Sequence, residues 1–171
     1  QKWGNYIKMN PPVRDSKDLF GLWKALKFGQ IDLIATDHAP HTREEKEKPY
    51  PEAPSGVPGV EMMLPILLNA VSAEGLSLEE VCKLVCEKPA ELFNIKDKGR
   101  IEKGYDADIV VIDMDLEKKF EDKDVKSKCG WSPYSGGLYQ GWPIMTYVNG
   151  LLVYKEGEVA PRYVGKEVSF S

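Results

Sequence analysis

The sequence lacks the features that mark membrane and nucleic-acid proteins. Its longest apolar runs fall well short of the roughly 20 residues that a bilayer-spanning helix needs, so a membrane protein is excluded. It has no basic block either: 23 Lys and Arg are set against 27 Asp and Glu, for a formal charge of −4. Phosphate binding needs clustered cations. Lys126 and Lys128 read as ordinary surface charge, so neither a nucleic acid nor a membrane is expected as a partner. Cysteine is scarce. Cys82, Cys86 and Cys129 are odd in number and lack metal-finger spacing, and no basic-then-apolar leader opens the chain, which points to a cytoplasmic protein. Cys82 and Cys86 stand four apart on a helical pattern, where they could share a metal; burial as small hydrophobes is the favoured reading, and no chemistry is assigned to them. What the chain does have is 171 residues, 42% of them hydrophobic, enough for a core in one or two domains. It opens on Gln1 rather than Met, and Trp3 to Asn10 reads like the middle of a domain, so a fragment is expected.

The first half reads as alternating strands and helices. Tyr6 to Met9 is a short extended run that Pro11 and Pro12 stop. Leu19, Phe20, Trp23 and Leu26 then follow helical spacing from Ser16 to Phe28, with Ser16 as N-cap and Gly29 as the stop. Ile31 to Thr36 is nearly continuous in apolar character, the pattern of a strand buried on both faces of a parallel sheet. Residues 42–58 are charged and proline-rich, which suits a functional loop or lid better than a plain linker. Gly59 to Ala73 predicts a second helix, and Ser77-x-x-Glu80 is a capping box that opens a third, ended by Pro89. After Lys98 the pattern changes to short strands at 107–112, 144–148 and 151–154, the last two joined by Asn149-Gly150, a strong hairpin signal.

The chemistry-bearing residues gather where the apolar strand ends. Ligands and catalytic groups of parallel α/β folds sit at the C-terminal ends of strands, and Ile31–Thr36 delivers Asp37 and His38 there. A carboxylate so placed can ligate a metal or act as a general base, or it can merely cap the turn that follows. His38 and His41 are the only histidines of the chain, and Pro40 between them argues against a helical two-His metal pair. His38 reads as structural, whereas His41 suits either a metal or an anionic substrate. Asn10, stiffened by Pro11 and Pro12, can offer an amide to a substrate or serve a turn, and Ser55-Gly56-Val57-Pro58-Gly59 precedes a helix, where exposed N–H groups can receive an anion, although such a loop is more often just an N-terminal turn.

Taken together, KMNPPVR at 8–14, IATDHAPHTREEK at 34–46, APSGVPGVE at 53–61, GRIEKGYDADIVVID at 99–113, and GWSPY at 130–134 with GWPIMTYVNGLLVY at 141–154 resemble the C-terminal part of the dihydroorotases, in the amidohydrolase superfamily. The blocks occur in the family's order over almost the whole chain. The resemblance implies an α/β fold: the C-terminal part of a (β/α)8 barrel over residues 1–97, followed by a β-sandwich portion over 98–171. It implies zinc, one or two ions, with Asp37 as metal ligand and catalytic acid/base and the remaining ligands outside this chain. Asn10, His41, Ser55 and Gly56 match substrate-binding positions, although Ser55 replaces an aromatic residue common in bacterial members. The implied reaction is the reversible cyclisation of N-carbamoyl-L-aspartate to dihydroorotate in pyrimidine biosynthesis, with this chain inactive on its own. The implied partners are the small-molecule substrate, the missing N-terminal half of the barrel, and either further copies in a homo-oligomer or aspartate carbamoyltransferase. Dihydropyrimidinases, hydantoinases and allantoinases are the nearest alternatives. Their substrates lack the exocyclic carboxylate, and they generally lack a histidine four residues after the Asp, so His41 favours dihydroorotase. A non-catalytic dihydroorotase-like scaffold is a further alternative, and it would be expected to have lost Asp37, Asn10 or His41.

Overall fold

A computed structural model describes residues 3–161 and 164–170. The described residues form five α-helical segments and a four-stranded sheet, and the chain divides into two compact units. The first comprises Gln1–Ile31, Ala35–Ile66 and Lys118–Tyr139, the second Asp32–Ile34, Leu67–Glu117 and Gln140–Ser171.

In the first unit, α1 (Ser16–Lys27) forms where helical spacing predicts it, but its cap is Asp15 rather than Ser16: the Asp15 carboxylate accepts from the N–H groups of Lys17 and Asp18. Gly29, at a φ of 65°, ends the helix as expected. No residue of α1 is buried, and Phe20 is 72% exposed. The extended run expected at Tyr6–Met9 is instead a 3-10 turn over Gly4–Ile7, closed by the Tyr6 and Lys8 N–H groups on the carbonyls of Trp3 and Asn5. The strand expected at 31–36 carries no ladder. Its only pairing among the described residues is a single parallel bridge just beyond it, His38 to Val57. A run becomes a strand only beside a neighbouring strand that supplies its ladder, and here the backbone finds isolated partners, such as the Leu84 carbonyl for the Ile34 N–H at 3.2 Å. The loop at 42–58 contains α2 (Arg43–Lys46), opened by a Thr42/Glu45 capping box. Ala53, Val57, Met62, Phe120 and Trp131 are buried in this unit, and so is Lys46.

Helix α3 (Met63–Glu74) begins four residues later than its apolar pattern suggests. In the second unit, Ser77 and Glu80 form the expected box at the start of α4 (Leu78–Cys82). Pro89 does not end this helix. A π-helical segment at Lys83–Glu87 leads directly into α5 (Lys88–Leu92), with Pro89 in its first turn, where a missing N–H is tolerated. Val81 and Leu84 are buried, whereas Cys82 and Cys86 lie exposed, contrary to their expected burial. At a separation of four they share one side of the helix, and that side is not the one carrying Val81 and Leu84.

The strands β1 (Ile109–Lys119), β2 (Leu138–Val148), β3 (Leu151–Lys155) and β4 (Glu158–Val159) lie in the order β1-β2-β3-β4. Val148 pairs with Leu151 across the Asn149-Gly150 turn, with a register irregularity at Thr146/Tyr147. Both turn residues have positive φ, 50° and 75°, as a primed hairpin turn requires.

Candidate active site

Asn10, Asp37, His41, Ser55 and Gly56 all belong to the first unit, and three short segments of it are tied together through the main chain. The Ala39 N–H donates to the Val57 carbonyl at 3.0 Å, and the Gly56 N–H donates to the Lys8 carbonyl at 2.9 Å. These bonds bring the end of the Asp37–His41 loop, the Ser55–Gly56 turn and the chain before Asn10 to one place. Gly56 is required there twice over. Its φ of 130° disfavours any side chain, and a Cβ would lie 2.6 Å from the Ala39 carbonyl oxygen.

Each candidate has a definite environment. Asp37 is exposed, at a φ of 46°, and nothing among the described residues hydrogen-bonds its carboxylate. Asn10 is exposed as well. His38 is structural: its Nδ1 accepts the N–H groups of Gly59 and Val60 at 3.0 and 3.2 Å. That arrangement agrees with the plain-turn reading rather than the anion-site one, because an imidazole nitrogen already occupies those two donors. The Nε2 of His41 lies 3.2 Å from the Ser55 carbonyl oxygen, and its Nδ1 faces the Glu45 carboxylate at 3.5 Å. The Thr42 N–H and hydroxyl, with His41 beside them, hold the Glu45 carboxyl below its ordinary range.

The supports of the loop are residues that no motif announced. The indole N–H of Trp131, a side chain only 2% exposed, donates to the His41 carbonyl at 2.7 Å, and its ring meets Tyr6 edge-on with centroids 5.0 Å apart. Arg43 pairs with Asp122 and donates to the Gly130 carbonyl at 3.0 Å. Burial alone would raise the Asp122 carboxyl; Arg43, Ser135 and the Ser132 N–H outweigh it and lower it. Lys46, 1% exposed, sends its ammonium to the carbonyls of Lys8, Pro54 and Gly56 at 3.3, 2.9 and 2.9 Å. Lys8 in turn donates to the carbonyls of Pro51 and Ala53. The segment read as a lid is thus anchored by two ammonium groups. Its Thr42-x-x-Glu45 box has the same pattern as Ser77-x-x-Glu80 and was the one available signal that Lys46 would lie on a helical turn.

The small cavity beside His38 has room for about one water. Among the described residues no three His, Cys, Asp or Glu side chains gather as a metal-binding set. An exposed carboxylate without a partner fits a single metal ligand, but the donors of this chain do not amount to a metal centre.

The sequence model of the Amidohydrolase family matches residues 13–153. The chain belongs to this family. Among curated amidohydrolase relatives, the dihydroorotase of Halobacterium salinarum is 41% identical over 167 residues, 96% of this chain and 39% of that protein. The dihydroorotase of Brevibacillus brevis is 43% identical over 149 residues, 86% of this chain and 35% of that protein. Among solved structures, the L-hydantoinase of Arthrobacter aurescens superposes with a TM-score of 0.88 at 37% identity, covering 93% of this chain and 36% of that one. The chain therefore spans no more than 39% of the length of these relatives. Among the described residues no helix is long and apolar enough to cross a membrane.

Proposed function

We propose that this chain is the C-terminal portion of a dihydroorotase, which interconverts N-carbamoyl-L-aspartate and dihydroorotate in pyrimidine biosynthesis. The observation that carries the reading is the pinning of the Asp37–His41 loop onto Ser55–Gly56, through Ala39 N–H to Val57 and His41 Nε2 to Ser55. This leaves the Asp37 carboxylate exposed at the end of the apolar run. In this reading residues 1–97 are the last part of a (β/α)8 barrel and 98–171 the β-sandwich portion. The uncovered apolar residues of α1 are then a face for the rest of the barrel.

In the hydrolytic direction Asp37 accepts a proton as water adds to the ring amide carbon, and it returns the proton to the ring nitrogen as the C–N bond breaks; ring closure is the reverse. His41 and Asn10 receive the substrate's carboxylate and amide, and the Ser55–Gly56 backbone meets the ring. Zinc, held by Asp37 together with ligands from outside this chain, supplies carbonyl polarisation and a lowered water pKa when bound. The isolated chain is accordingly inactive, and its titration with zinc finds no stoichiometric tight site.

Curated dihydroorotases at about 40% identity support this activity over that of the hydantoinases, and His41 adds the chemical reason. The test is His41→Ala in the complete enzyme. Dihydroorotate use falls at least about tenfold more than use of dihydrouracil, which lacks the carboxylate, the equivalent of one charge-assisted hydrogen bond. Equal losses on the two substrates overturn the carboxylate role.

A further inference from the structure

Lys46, which anchors the 42–58 segment, is a buried charge. A buried ammonium without a counter-ion is costly, and among the described residues no carboxylate pairs with it. Burial first, and repulsion by Lys8 second, push its pKa down. What it has instead are three backbone carbonyls, one for each N–H.

Two of those carbonyls flank Ser55. The peptide group between Ser55 and Gly56 is held at both ends without Lys46, its carbonyl by His41 Nε2 and its N–H by the Lys8 carbonyl. The peptide group between Pro54 and Ser55 is different. Its only tether among the described residues is the bond from Lys46 Nζ to the Pro54 carbonyl, 2.9 Å. This peptide is trans, so its N–H points opposite to its C=O. With the Pro54 oxygen drawn toward the buried ammonium, the Ser55 N–H is turned away from it, and no acceptor for that N–H exists among the described residues.

We propose that Lys46 is a positioning residue of the active site: by fixing the Pro54–Ser55 peptide it presents the Ser55 N–H as a donor to an oxygen of the bound substrate. The inference rests on the dihydroorotase reading and deepens it, and it makes the 42–58 segment a fixed shelf rather than a closing lid. It also makes the loss of the bulky side chain at position 55 harmless, because the main chain does the binding.

The test uses the complete enzyme, wild type and Lys46→Met, which keeps the aliphatic stem and removes the donors. Lys46→Met raises KM for dihydroorotate about tenfold, the equivalent of one hydrogen bond, leaves kcat within about threefold, and retains full metal content. In wild type, dihydroorotate slows hydrogen exchange at the Ser55 amide; in Lys46→Met that protection is largely lost while protection elsewhere in the site persists. A folded, metal-loaded Lys46→Met with unchanged KM overturns the inference and leaves the dihydroorotase reading standing. Should Lys46→Met not fold, the wild-type exchange measurement decides alone, and a Ser55 amide unprotected by bound dihydroorotate overturns it. Failure of the wild-type enzyme to bind dihydroorotate at all overturns the functional reading and this inference with it.

Discussion

The Asn149-Gly150 turn and the loop from Asp37 to Gly59 are both tight excursions of the main chain, yet they are held by different means. The turn is local. Its two positive φ values fix the crossing, and the pairing of Val148 with Leu151 follows within the hairpin. The loop is held from a distance: Lys8, Trp131 and Asp122, the last through Arg43 of the loop itself, reach it from remote parts of the chain. Turn chemistry sets the shape of the hairpin and remote bonds only add to it, whereas the loop takes its shape from side chains bonded to backbone carbonyls. Exposed polar chemistry at a site requires backbone held in irregular shapes, and irregular backbone has to find its hydrogen-bond partners elsewhere.

The contrast can be broken at either end. The largest effect belongs to Gly56→Val, which places a side chain 2.6 Å from the Ala39 carbonyl oxygen at a φ of 130°; unfolding by denaturant finds the complete enzyme destabilised by about 3 kcal/mol or more, and activity is lost. Trp131→Phe removes the donor to the His41 carbonyl and part of a buried ring. It costs about 2 kcal/mol by the same measurement and raises KM. Gly150→Ala strains the hairpin at a φ of 75° with space for the methyl group. It costs about 1 kcal/mol and leaves KM unchanged, because nothing in the hairpin touches substrate in this account. A fall in KM-derived affinity with Gly150→Ala as large as with Trp131→Phe would erase the distinction.

The smallest effect is a pH dependence. Glu121, between Lys123 and Lys119, is lowered to about 2 from 4.5, and Asp122 lies below its ordinary 3.8. Both carboxyls hold fewer protons folded than unfolded, so they contribute stability above those ordinary values. That contribution is lost as pH falls through them toward the folded values. Urea midpoints measured from pH 6 down to pH 3 decline, and Asp122→Asn shows a shallower decline.

The parts that were legible in the sequence were those whose cause is local. The box at Ser77, the stop at Gly29 and the hairpin at Asn149-Gly150 each need only a few neighbouring residues to take effect. Pro89 misled because a π-helical segment before it lets the chain stay helical, and Ser16 misled because Asp15, one residue earlier, is the better acceptor. Ile31–Thr36 has the composition of a buried strand, but composition does not supply pairing partners. Asp37, His41, Asn10, Ser55 and Gly56 could be named from motifs. Lys46 and Trp131 could not: a lysine in a charged loop and a tryptophan 90 residues from the carbonyl it holds give no periodic signal.

The central claim, that Asp37 carries the proton in a dihydroorotase site, is met most directly by Asp37→Asn in the complete enzyme, assayed for dihydroorotate hydrolysis with protein fold and metal content measured alongside. The account predicts a turnover lower by about 10²- to 10⁴-fold, the usual worth of a positioned acid/base, in a protein that remains folded. Turnover within tenfold of wild type would contradict it.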